Sequence, residues 1–291
     1  IFLKKLWCME TSLTSLKISN KNFEKLSIYI LQNYGINLTS DKKKLVENRL
    51  CKKVISSEFG SLDEYLEYIF SLSGKDELSL ISDLLSTNKT YFYREPAHFL
   101  YFEKFLKSIE KPKKINLWSV ACSSGDEVYT LSAILHEHLS KINNSKKGLV
   151  YSILGTDISS KMIQSAKLGE YDQSRLLTLP KFLIQKYFTK EQKQLGEYTY
   201  KVHPTLKRNI SFKYFNLIKD FPLNHQQYDI IFCRNVLIYF LEETKIKVVQ
   251  ELIKRLKPGG LLFLGHCEGF LCQNTELIQI QPSIFKKPEN E

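Results

Sequence analysis

The sequence predicts an α/β protein in which an all-helical N-terminal domain precedes a larger domain built on a mostly parallel sheet. Three observations predict this fold class. First, no proline occurs before Pro96, and the apolar residues of that stretch recur at helical spacing. Second, short apolar runs alternate with helical patterns beyond Pro96, which is typical of β-α-β units. Third, 291 residues are enough chain for two domains.

The helical domain is predicted to cover residues 10–85. The Thr-Ser-Asp run at 39–41 can cap a helix over 42–57, and Gly60 can end that helix. The segment 61–64 resembles a capping box for the next helix.

The rest of the chain is predicted to form a linker at 86–95 and an α/β domain at 96–291. Alternating apolar and polar residues near Tyr198 predict a small antiparallel insert at about 187–214. The predicted strands cover residues 115–120, 150–154, 210–214, 228–233 and 261–264. The helical patterns between them cover residues 126–141, 159–168 and 242–256.

The charge balance predicts an anionic partner. Lys and Arg total 42 against 31 Asp and Glu, a net charge of +11, which suits nucleic acid, anionic lipid or an acidic protein surface. No apolar run is long enough to span a bilayer, and no secretory signal is recognisable. The six cysteines include no Cys-x-x-Cys pair, and neither they nor the histidines show zinc-like spacing. We therefore expect a reducing cytoplasm and no metal.

Two predicted strands lead into acidic residues. The turn at 121–125 keeps only Gly125 of the glycines usual in a dinucleotide fingerprint, and Asp126 and Glu127 follow it. These carboxylates would repel a phosphate and favour a ligand with an ammonium or sulfonium group. Asp157 ends the next strand, where a carboxylate can accept both hydroxyls of a ribose. The plainer interpretations are an ordinary β-α turn and, for Asp157, a helix N-cap.

Three further segments carry polar residues beside predicted strands. The turn at 216–217 could frame the edge of an adenine. The apolar run 228–240 contains Arg234 and Asn235, and a charge there is costly unless it is paired, so a function is expected at that point. The segment 86–96 passes from polar to aromatic residues and could equally be an amphipathic linker.

These segments lie in the chain order of an S-adenosylmethionine-dependent methyltransferase, and their residues resemble those of CheR-type chemotaxis receptor protein-glutamate O-methyltransferases. The resemblance covers roughly residues 20–288. Its most specific pieces are TNKTYFYRE at 87–95, FCRNVLIYF at 232–240 and LKPGGLLFLGHCE at 256–268, with YGI at 34–36 and LVENRL at 45–50 in the helical domain.

The resemblance implies a Rossmann-like methyltransferase domain that converts S-adenosyl-L-methionine to S-adenosyl-L-homocysteine. It implies that Glu127 holds the methionine ammonium and Asp157 the ribose, and that Arg94 and Tyr239 are catalytic residues on the substrate side. The residues that it places around the cofactor are Asn88, Thr90, Arg94, Glu127, Asp157, Asn216, Leu217, Arg234 and Asn235.

The implied substrate is a glutamate side chain in the cytoplasmic, glutamate-rich helical region of a chemotaxis receptor, which becomes a methyl ester during sensory adaptation. A glutamate with a pKa of about 4.3 is already a nucleophilic carboxylate at neutral pH, so the reaction requires no general base. What remains is in-line positioning and the exclusion of water. We expect a monomer without membrane insertion.

The basic face of the predicted helix 42–57 suits such a substrate. Lys42, Arg49 and Lys53 lie on one side of that helix, and we expect them to bind the acidic receptor helix. The alternative is a merely solvated basic face.

Two competing functions are a nucleic-acid methyltransferase and a non-catalytic S-adenosylmethionine-binding module. Enzymes that methylate amino groups of nucleic acids carry an Asn/Asp-Pro-Pro-aromatic turn after the fourth strand. That place here reads Arg-Asn-Val-Leu at 234–237, which disfavours nucleic acid as the substrate.

Overall fold

The computed structural model describes residues 17–109, 114–142, 150–192, 198–221 and 226–289. Residues 10–16 of the predicted helical domain and 193–197 of the predicted insert lie outside that part. The chain divides into two compact units, Ile1–Thr87 and Asn88–Glu291. The first is helical and the second contains a mostly parallel sheet, so the predicted fold class is confirmed.

The helices of the first unit follow the apolar spacing of the sequence. They are α1 (Asn20–Tyr34), α2 (Lys43–Ile55), α3 (Leu62–Ile69), α4 (Lys75–Ser79) and α5 (Ile81–Leu85). Their apolar faces form a core in which Leu26, Leu50 and Leu66 are completely buried. Packing of such faces, rather than helix propensity, stabilises helices this short.

A reciprocal cap marks the start of α3. The Glu64 amide donates to the Ser61 hydroxyl at 3.1 Å, and the Gly60 amide donates to the Glu64 carboxylate at 2.7 Å. The predicted N-cap at Ser61 is therefore confirmed, while the return bond of the capping box goes to Gly60, one residue before the cap.

The bounds of α2 differ from the predicted 42–57. A 3-10 turn at Ser40–Lys42 precedes the helix, which ends at Ile55 and not near Gly60. The hydroxyls of Ser56 and Ser57 donate back to backbone carbonyls of the last turn, at 3.0 and 2.8 Å. Such bonds compete with continued helix and so end it early.

The second unit is built on a seven-stranded sheet. Its strands are β1 (Lys114–Val120), β2 (Val150–Asp157), β6 (Ile210–Tyr214), β7 (Tyr228–Cys233), β8 (Leu256–Leu264), β9 (Ile278–Gln281) and β10 (Ile284–Lys286). They lie in the order β6-β2-β1-β7-β8-β10-β9, of which the first five are parallel and β10 is antiparallel to both neighbours. The sequence does not predict β9 and β10, because both are short and β9 is exposed along its whole length.

Helices connect and cover the parallel strands. They are α6 (Pro96–Lys107), α7 (Asp126–Ile142), α8 (Ser160–Leu168), α9 (Lys181–Tyr187), α10 (Pro204–Lys207) and α11 (Glu242–Arg255). α7 lies between β1 and β2 in the chain, and α11 between β7 and β8, as expected for β-α-β units. None of the helices in the described residues is both long and apolar enough to cross a bilayer.

A second, antiparallel sheet has three strands, β3 (Glu170–Asp172), β4 (Phe188–Gln192) and β5 (Tyr198–Val202), with β5 in the middle. This differs from the insert expected at about 187–214, because it begins with β3, and residues 210–214 form the edge strand β6 of the main sheet. β3 has only three residues, too few to show an alternating pattern in the sequence.

Stacked rings fix the sheet below its carboxyl edge. Phe232 of β7 and Phe263 of β8 stack with ring centroids 4.1 Å apart, and Phe99 of α6 stacks on Phe232 at 6.2 Å. All three side chains are completely buried. Close packing of this kind leaves the strand ends little freedom, so residues that follow them are held at defined positions.

Candidate functional site

Neighbouring strands end side by side at the carboxyl edge of the sheet. Val120 of β1 pairs with Thr156 of β2 and is level with the last residue of β7. The turns beyond the strands are tied together, because the Cys122 amide donates to the Thr156 carbonyl at 2.8 Å and the Phe215 amide donates to the Asp157 carbonyl at 3.0 Å. The predicted polar segments thus converge on one crevice, the place where open α/β sheets bind ligands.

The turn after β1 has a left-handed backbone at Ala121 (φ 54°), Ser123 (φ 49°) and Gly125 (φ 88°). The first two stand where the dinucleotide fingerprint usually has glycine. This conformation costs a non-glycine residue about 1–2 kcal/mol. Strained backbone persists where surrounding contacts hold it, which is typical of ligand sites and favours a binding role over an ordinary turn.

Asp157 holds this turn. Its Oδ2 accepts from the Ser123 amide at 2.8 Å and its Oδ1 from the Ser159 amide at 2.9 Å. The N-cap of α8 is Ser159, whose hydroxyl accepts from the Met162 amide, so the interpretation of Asp157 as that cap is wrong. Two backbone amides therefore fix the orientation of this carboxylate at the carboxyl end of β2.

A buried guanidinium joins three parts of the second unit. The Arg234 side chain is 2% exposed, with Nη1 2.9 Å from Glu127 Oε2 and Nη2 3.1 Å from Glu95 Oε2. Nη2 also donates to the Arg94 carbonyl, and the guanidinium lies 5.3 Å from the ring centroid of Phe99. The charge predicted to need pairing is therefore paired, and by two carboxylates.

The Glu95 carboxylate of this cluster is ionised. Burial of Glu95 opposes ionisation, but the Arg234 guanidinium and hydrogen bonds from Asn235 and Arg234 outweigh it and hold the Glu95 pKa below its usual range. Glu127 accepts from the Ser119 hydroxyl at 2.7 Å with its other oxygen. Two carboxylates thus face one guanidinium, and this excess of negative charge would attract a cation.

Asn235 continues the turn after β7. Its backbone is left-handed (φ 59°), its amide donates to Glu268 Oε2 at 2.8 Å, and its Nδ2 donates to Glu95 Oε1 at 3.0 Å. Tyr239 is half-buried in the 3-10 turn Leu237–Tyr239 that follows directly. The predicted catalytic tyrosine is therefore on the same turn as two predicted cofactor residues.

The segment 88–95 reaches the same crevice from the start of the second unit. The Asn88 carbonyl accepts from the Ser123 hydroxyl at 3.2 Å, and Asn88, Thr90 and Arg94 are all half-buried. Arg94 Nη1 donates to the Lys89 carbonyl at 2.9 Å, so the guanidinium folds back along its own segment. The backbone of Asn88 thus contacts the turn after β1, and the backbone of Arg94 contacts Arg234.

Asn216 and Leu217 lie in the turn after β6, at the same edge of the sheet. They are 3% and 8% exposed. The Asn216 amide donates to Asp220 at 2.7 Å, and its Oδ1 accepts from the Ile218 amide at 2.9 Å. This rigid turn is tied to Asp157 through the Phe215 amide, so it stands next to the carboxylate predicted for the ribose.

The sequence misses the partner of Asp126. That carboxylate is completely buried and lies 2.7 Å from Arg175 Nη2, while the Ser124 hydroxyl donates to it at 2.8 Å. Arg175 follows β3, and Tyr171 of β3 donates to the Ser124 carbonyl at 2.6 Å. The small sheet therefore supports the turn after β1, and the Asp126 carboxylate is paired with Arg175 instead of facing a ligand.

One further cluster has metal-ligating side chains. Glu95, His98 and His266 bring their ligand atoms within 4.8 Å of one another. Glu95 Oε2 is already paired with Arg234, whose charge would repel a dication. Burial first, and then Arg234, lowers the pKa of His98 to about 4, so this imidazole is neutral. We assign no metal to the cluster.

The predicted receptor-binding cations have partners inside the first unit. Lys42 Nζ donates to the Asn37 carbonyl at 2.8 Å, and Lys53 Nζ lies 2.9 Å from Glu77. The Arg49 guanidinium donates to the carbonyls of residues 85 and 86 and to the hydroxyl of residue 87. These side chains stabilise the helical unit, a role that their helical spacing does not reveal.

Comparisons with known proteins match both units of the chain. Residues 88–285 match the family model described as CheR methyltransferase, SAM binding domain, and residues 21–86 match CheR methyltransferase, all-alpha domain. A chemotaxis protein methyltransferase of Borreliella burgdorferi is 34% identical over 94% of this chain and 96% of its own length. Chemotaxis protein methyltransferase 1 of Pseudomonas aeruginosa is 32% identical over 92% of this chain and 97% of its own length.

Arg175→Met should lower the free energy of unfolding by about 2 kcal/mol, because it leaves the buried carboxylate of Asp126 without its cation. The expected loss is below that for a fully buried pair, since the Arg175 side chain is 33% exposed. Adding Asp126→Asn to this variant should restore part of the lost free energy of unfolding, as measured by urea unfolding.

Lys201→Met is the matched control, because Lys201 pairs with Glu170 and Glu191 on the surface of the same small sheet. A change within about 0.5 kcal/mol is expected there. Equal losses for Arg175→Met and the control would contradict a supporting role of Arg175.

Proposed function

The chain belongs to the CheR methyltransferase family, and from that premise we propose that it transfers the methyl group of S-adenosyl-L-methionine to glutamate side-chain carboxylates of chemotaxis receptors. The products are a glutamate methyl ester and S-adenosyl-L-homocysteine. Support comes from the family model of the cofactor-binding domain and from the named chemotaxis relatives. The observation in this chain that carries the proposal is the charged crevice around Arg234.

The donor set of the crevice fits this cofactor. The sulfonium of S-adenosyl-L-methionine supplies a methyl group that an anionic oxygen can attack. Glu95 and Glu127 together outweigh the charge of Arg234, which stabilises a cationic ligand. We assign the methionine ammonium to Glu127 and the ribose hydroxyls to Asp157, a carboxylate that two backbone amides orient at the carboxyl end of β2.

The remaining cofactor residues surround these two carboxylates. We assign the adenine to the buried turn of Asn216 and Leu217, beside Asp157. The other residues proposed to contact the cofactor are Asn88, Thr90, Arg94, Arg234 and Asn235. Their positions on the segment 88–95 and on the turn after β7 are fixed by backbone contacts, so the chain can hold a ligand without large rearrangement.

We propose Arg94 and Tyr239 as the catalytic residues. The substrate carboxylate is ionised at neutral pH, so these residues orient it and exclude water without removing a proton. The Arg94 guanidinium donates to the Lys89 carbonyl and lies 5.8 Å from the Tyr91 ring centroid, both in its own segment, and we propose that it turns toward an incoming carboxylate. A tight ion pair with Arg94 would reduce the nucleophilicity of the substrate carboxylate. A guanidinium that also contacts its own segment would hold that carboxylate less tightly.

We propose that the helical unit binds the acidic helical region of the receptor in the cytoplasm. Lys42, Arg49 and Lys53 contribute positive charge, but their internal contacts limit their freedom. Lys44, with a 74% exposed side chain, and Lys52 face solvent on the same helix α2. Lys44 also pairs with Glu47 at 3.5 Å. By helical spacing, Lys44 and Lys52 lie on other sides of α2 than Lys42, Arg49 and Lys53, so we propose them as a second, solvent-facing part of the docking surface.

Labelled methyl groups from S-adenosylmethionine should appear on receptor-containing membranes and should be released as methanol by mild base, as an ester requires. RNA and DNA incubated in parallel should stay unlabelled. Base-stable label, or label on nucleic acid, would contradict glutamate as the acceptor and favour the competing methyltransferase class. Cofactor binding without any transfer would favour a non-catalytic module.

Arg94→Ala should lower kcat at least about 100-fold, because the reacting carboxylate loses its orienting cation. The melting temperature should hardly change, since the guanidinium makes one described hydrogen bond, to the Lys89 carbonyl. Arg208→Ala, which removes an exposed arginine of the same unit, is the control with normal turnover. Near-normal kcat for Arg94→Ala would refute the assignment.

The double variant Lys44→Glu, Lys52→Glu should raise the KM for receptor about tenfold with little change in kcat, because it reverses charge on an exposed docking face. Arg49→Glu should instead destabilise the helical unit by about 2 kcal/mol, since it removes the guanidinium that bonds to the carbonyls of residues 85 and 86. The control Lys161→Glu, Lys254→Glu makes the same change in net charge on the second unit. An equal rise in KM for this control would show that net charge alone acts.

A further inference from the structure

We infer that Glu268 is a positioning residue that holds the turn 234–239 in the conformation in which its side chains meet cofactor and substrate. The inference rests on the proposed function for the roles of Asn235 and Tyr239. Glu268 ends the LKPGGLLFLGHCE motif, for which neither the sequence nor the cofactor assignment supplies a role.

The Glu268 carboxylate is a buried acceptor for four backbone amides. The residue is 1% exposed. Its Oε2 accepts from the amides of Asn235 and Gly265, both at 2.8 Å, and its Oε1 accepts from those of Leu237 at 2.8 Å and Ile238 at 3.3 Å. Three of these amides belong to the turn after β7, so one side chain fixes the path of that turn.

The bonds act at two points of the turn. Asn235 is left-handed, a conformation that asparagine tolerates better than most non-glycine residues, and the bond from its amide to Glu268 fixes it there. The amides of Leu237 and Ile238 open the 3-10 turn that carries Tyr239, and the first amides of a helical turn have no partner within it. Glu268 satisfies both needs, since it caps this 3-10 turn from outside and anchors Asn235.

The surroundings of the carboxylate are shaped to receive it. A Cβ on Gly265 would lie 2.4 Å from Glu268 Oε2 and 2.9 Å from the Asn235 amide nitrogen, so only glycine leaves room for these bonds. Burial raises the Glu268 pKa, and the amide bonds oppose that effect. Burial of a carboxylate is costly, and the four amide bonds offset that cost while they fix the path of the turn.

The position of the turn makes this geometry functional. Arg234 at its start pairs with Glu127, the residue proposed for the methionine ammonium, and the Asn235 side chain bonds to Glu95. Tyr239 at its end is the proposed substrate-side residue. A shift of the turn would therefore displace groups on both sides of the methyl transfer.

Glu268→Gln tests the inference, because it keeps the shape but presents an amide NH₂ to two backbone donors. The turn should then occupy its binding-competent conformation only part of the time. The Kd for S-adenosylhomocysteine, measured by calorimetry, and the KM for S-adenosylmethionine should rise about 10- to 100-fold.

Asp229→Asn is the matched control, at the opposite end of the same strand β7. Asp229 is 6% exposed, accepts from the Asn116 amide at 2.9 Å and pairs with Lys257 at 2.8 Å. The Asp229→Asn variant should lower the melting temperature and the active fraction of enzyme, yet leave the Kd for S-adenosylhomocysteine and the KM for S-adenosylmethionine unchanged. General destabilisation would thus reduce the apparent kcat alone, whereas a misplaced turn raises KM.

If Glu268→Gln does not fold, Gly265→Ala provides the second variant, because its methyl group presses on the same carboxylate without removing the charge. It too should raise Kd at least tenfold. A Kd within twofold of wild type for the variant that folds, or an equal rise for Asp229→Asn, would overturn the positioning role. Normal cofactor binding by wild type without receptor methylation would overturn the glutamate acceptor and leave the Glu268 result interpretable.

Discussion

The buried ion cluster of Arg234 is the interaction on which the rest of the crevice depends. One guanidinium connects the segment 88–95, the start of α7 and the end of β7, which are far apart in the chain. Loss of one member would leave the others charged in a poorly solvated space, at a cost of about 3–5 kcal/mol. Because Arg234 continues a strand whose every residue is buried, its position follows from the rigid packing of the sheet.

Buried carboxylates organise the other turns in the same way. Asp157 accepts amides from the turns after β1 and β2, and Glu268 accepts amides from the turn after β7. Each of these carboxylates fixes a residue with left-handed backbone, Ser123 or Asn235. Local strain is therefore balanced by charge-assisted hydrogen bonds, and the crevice has a defined shape before any ligand enters.

The sequence predicts the parts of this arrangement that depend on local order. Asp157 and Arg234 stand out because a charge follows an apolar strand, and parallel strands bring such ends together. Contacts between residues far apart in the chain cannot be predicted from local order. Arg175, after β3, pairs with Asp126, and Glu268, after β8, accepts from the Asn235 amide. Helical spacing likewise predicted the basic face of α2 but not the carbonyls that bind Arg49, since periodicity identifies a face and not its contacts.

The protonation states of the crevice agree with an acceptor that arrives already ionised. Burial raises the thiol pKa values of Cys122 and Cys233 well above their usual range, so neither is a thiolate at neutral pH. The imidazole of His98 is neutral, because burial and Arg234 lower its pKa to about 4. A neutral imidazole could still accept a proton, but its low pKa makes it a weak base, and a buried thiol is a poor one. Methylation of an amine needs a proton removed, whereas methylation of a carboxylate needs none. The groups of this crevice are thus better suited to holding atoms in place than to moving protons, which is what carboxyl methylation requires.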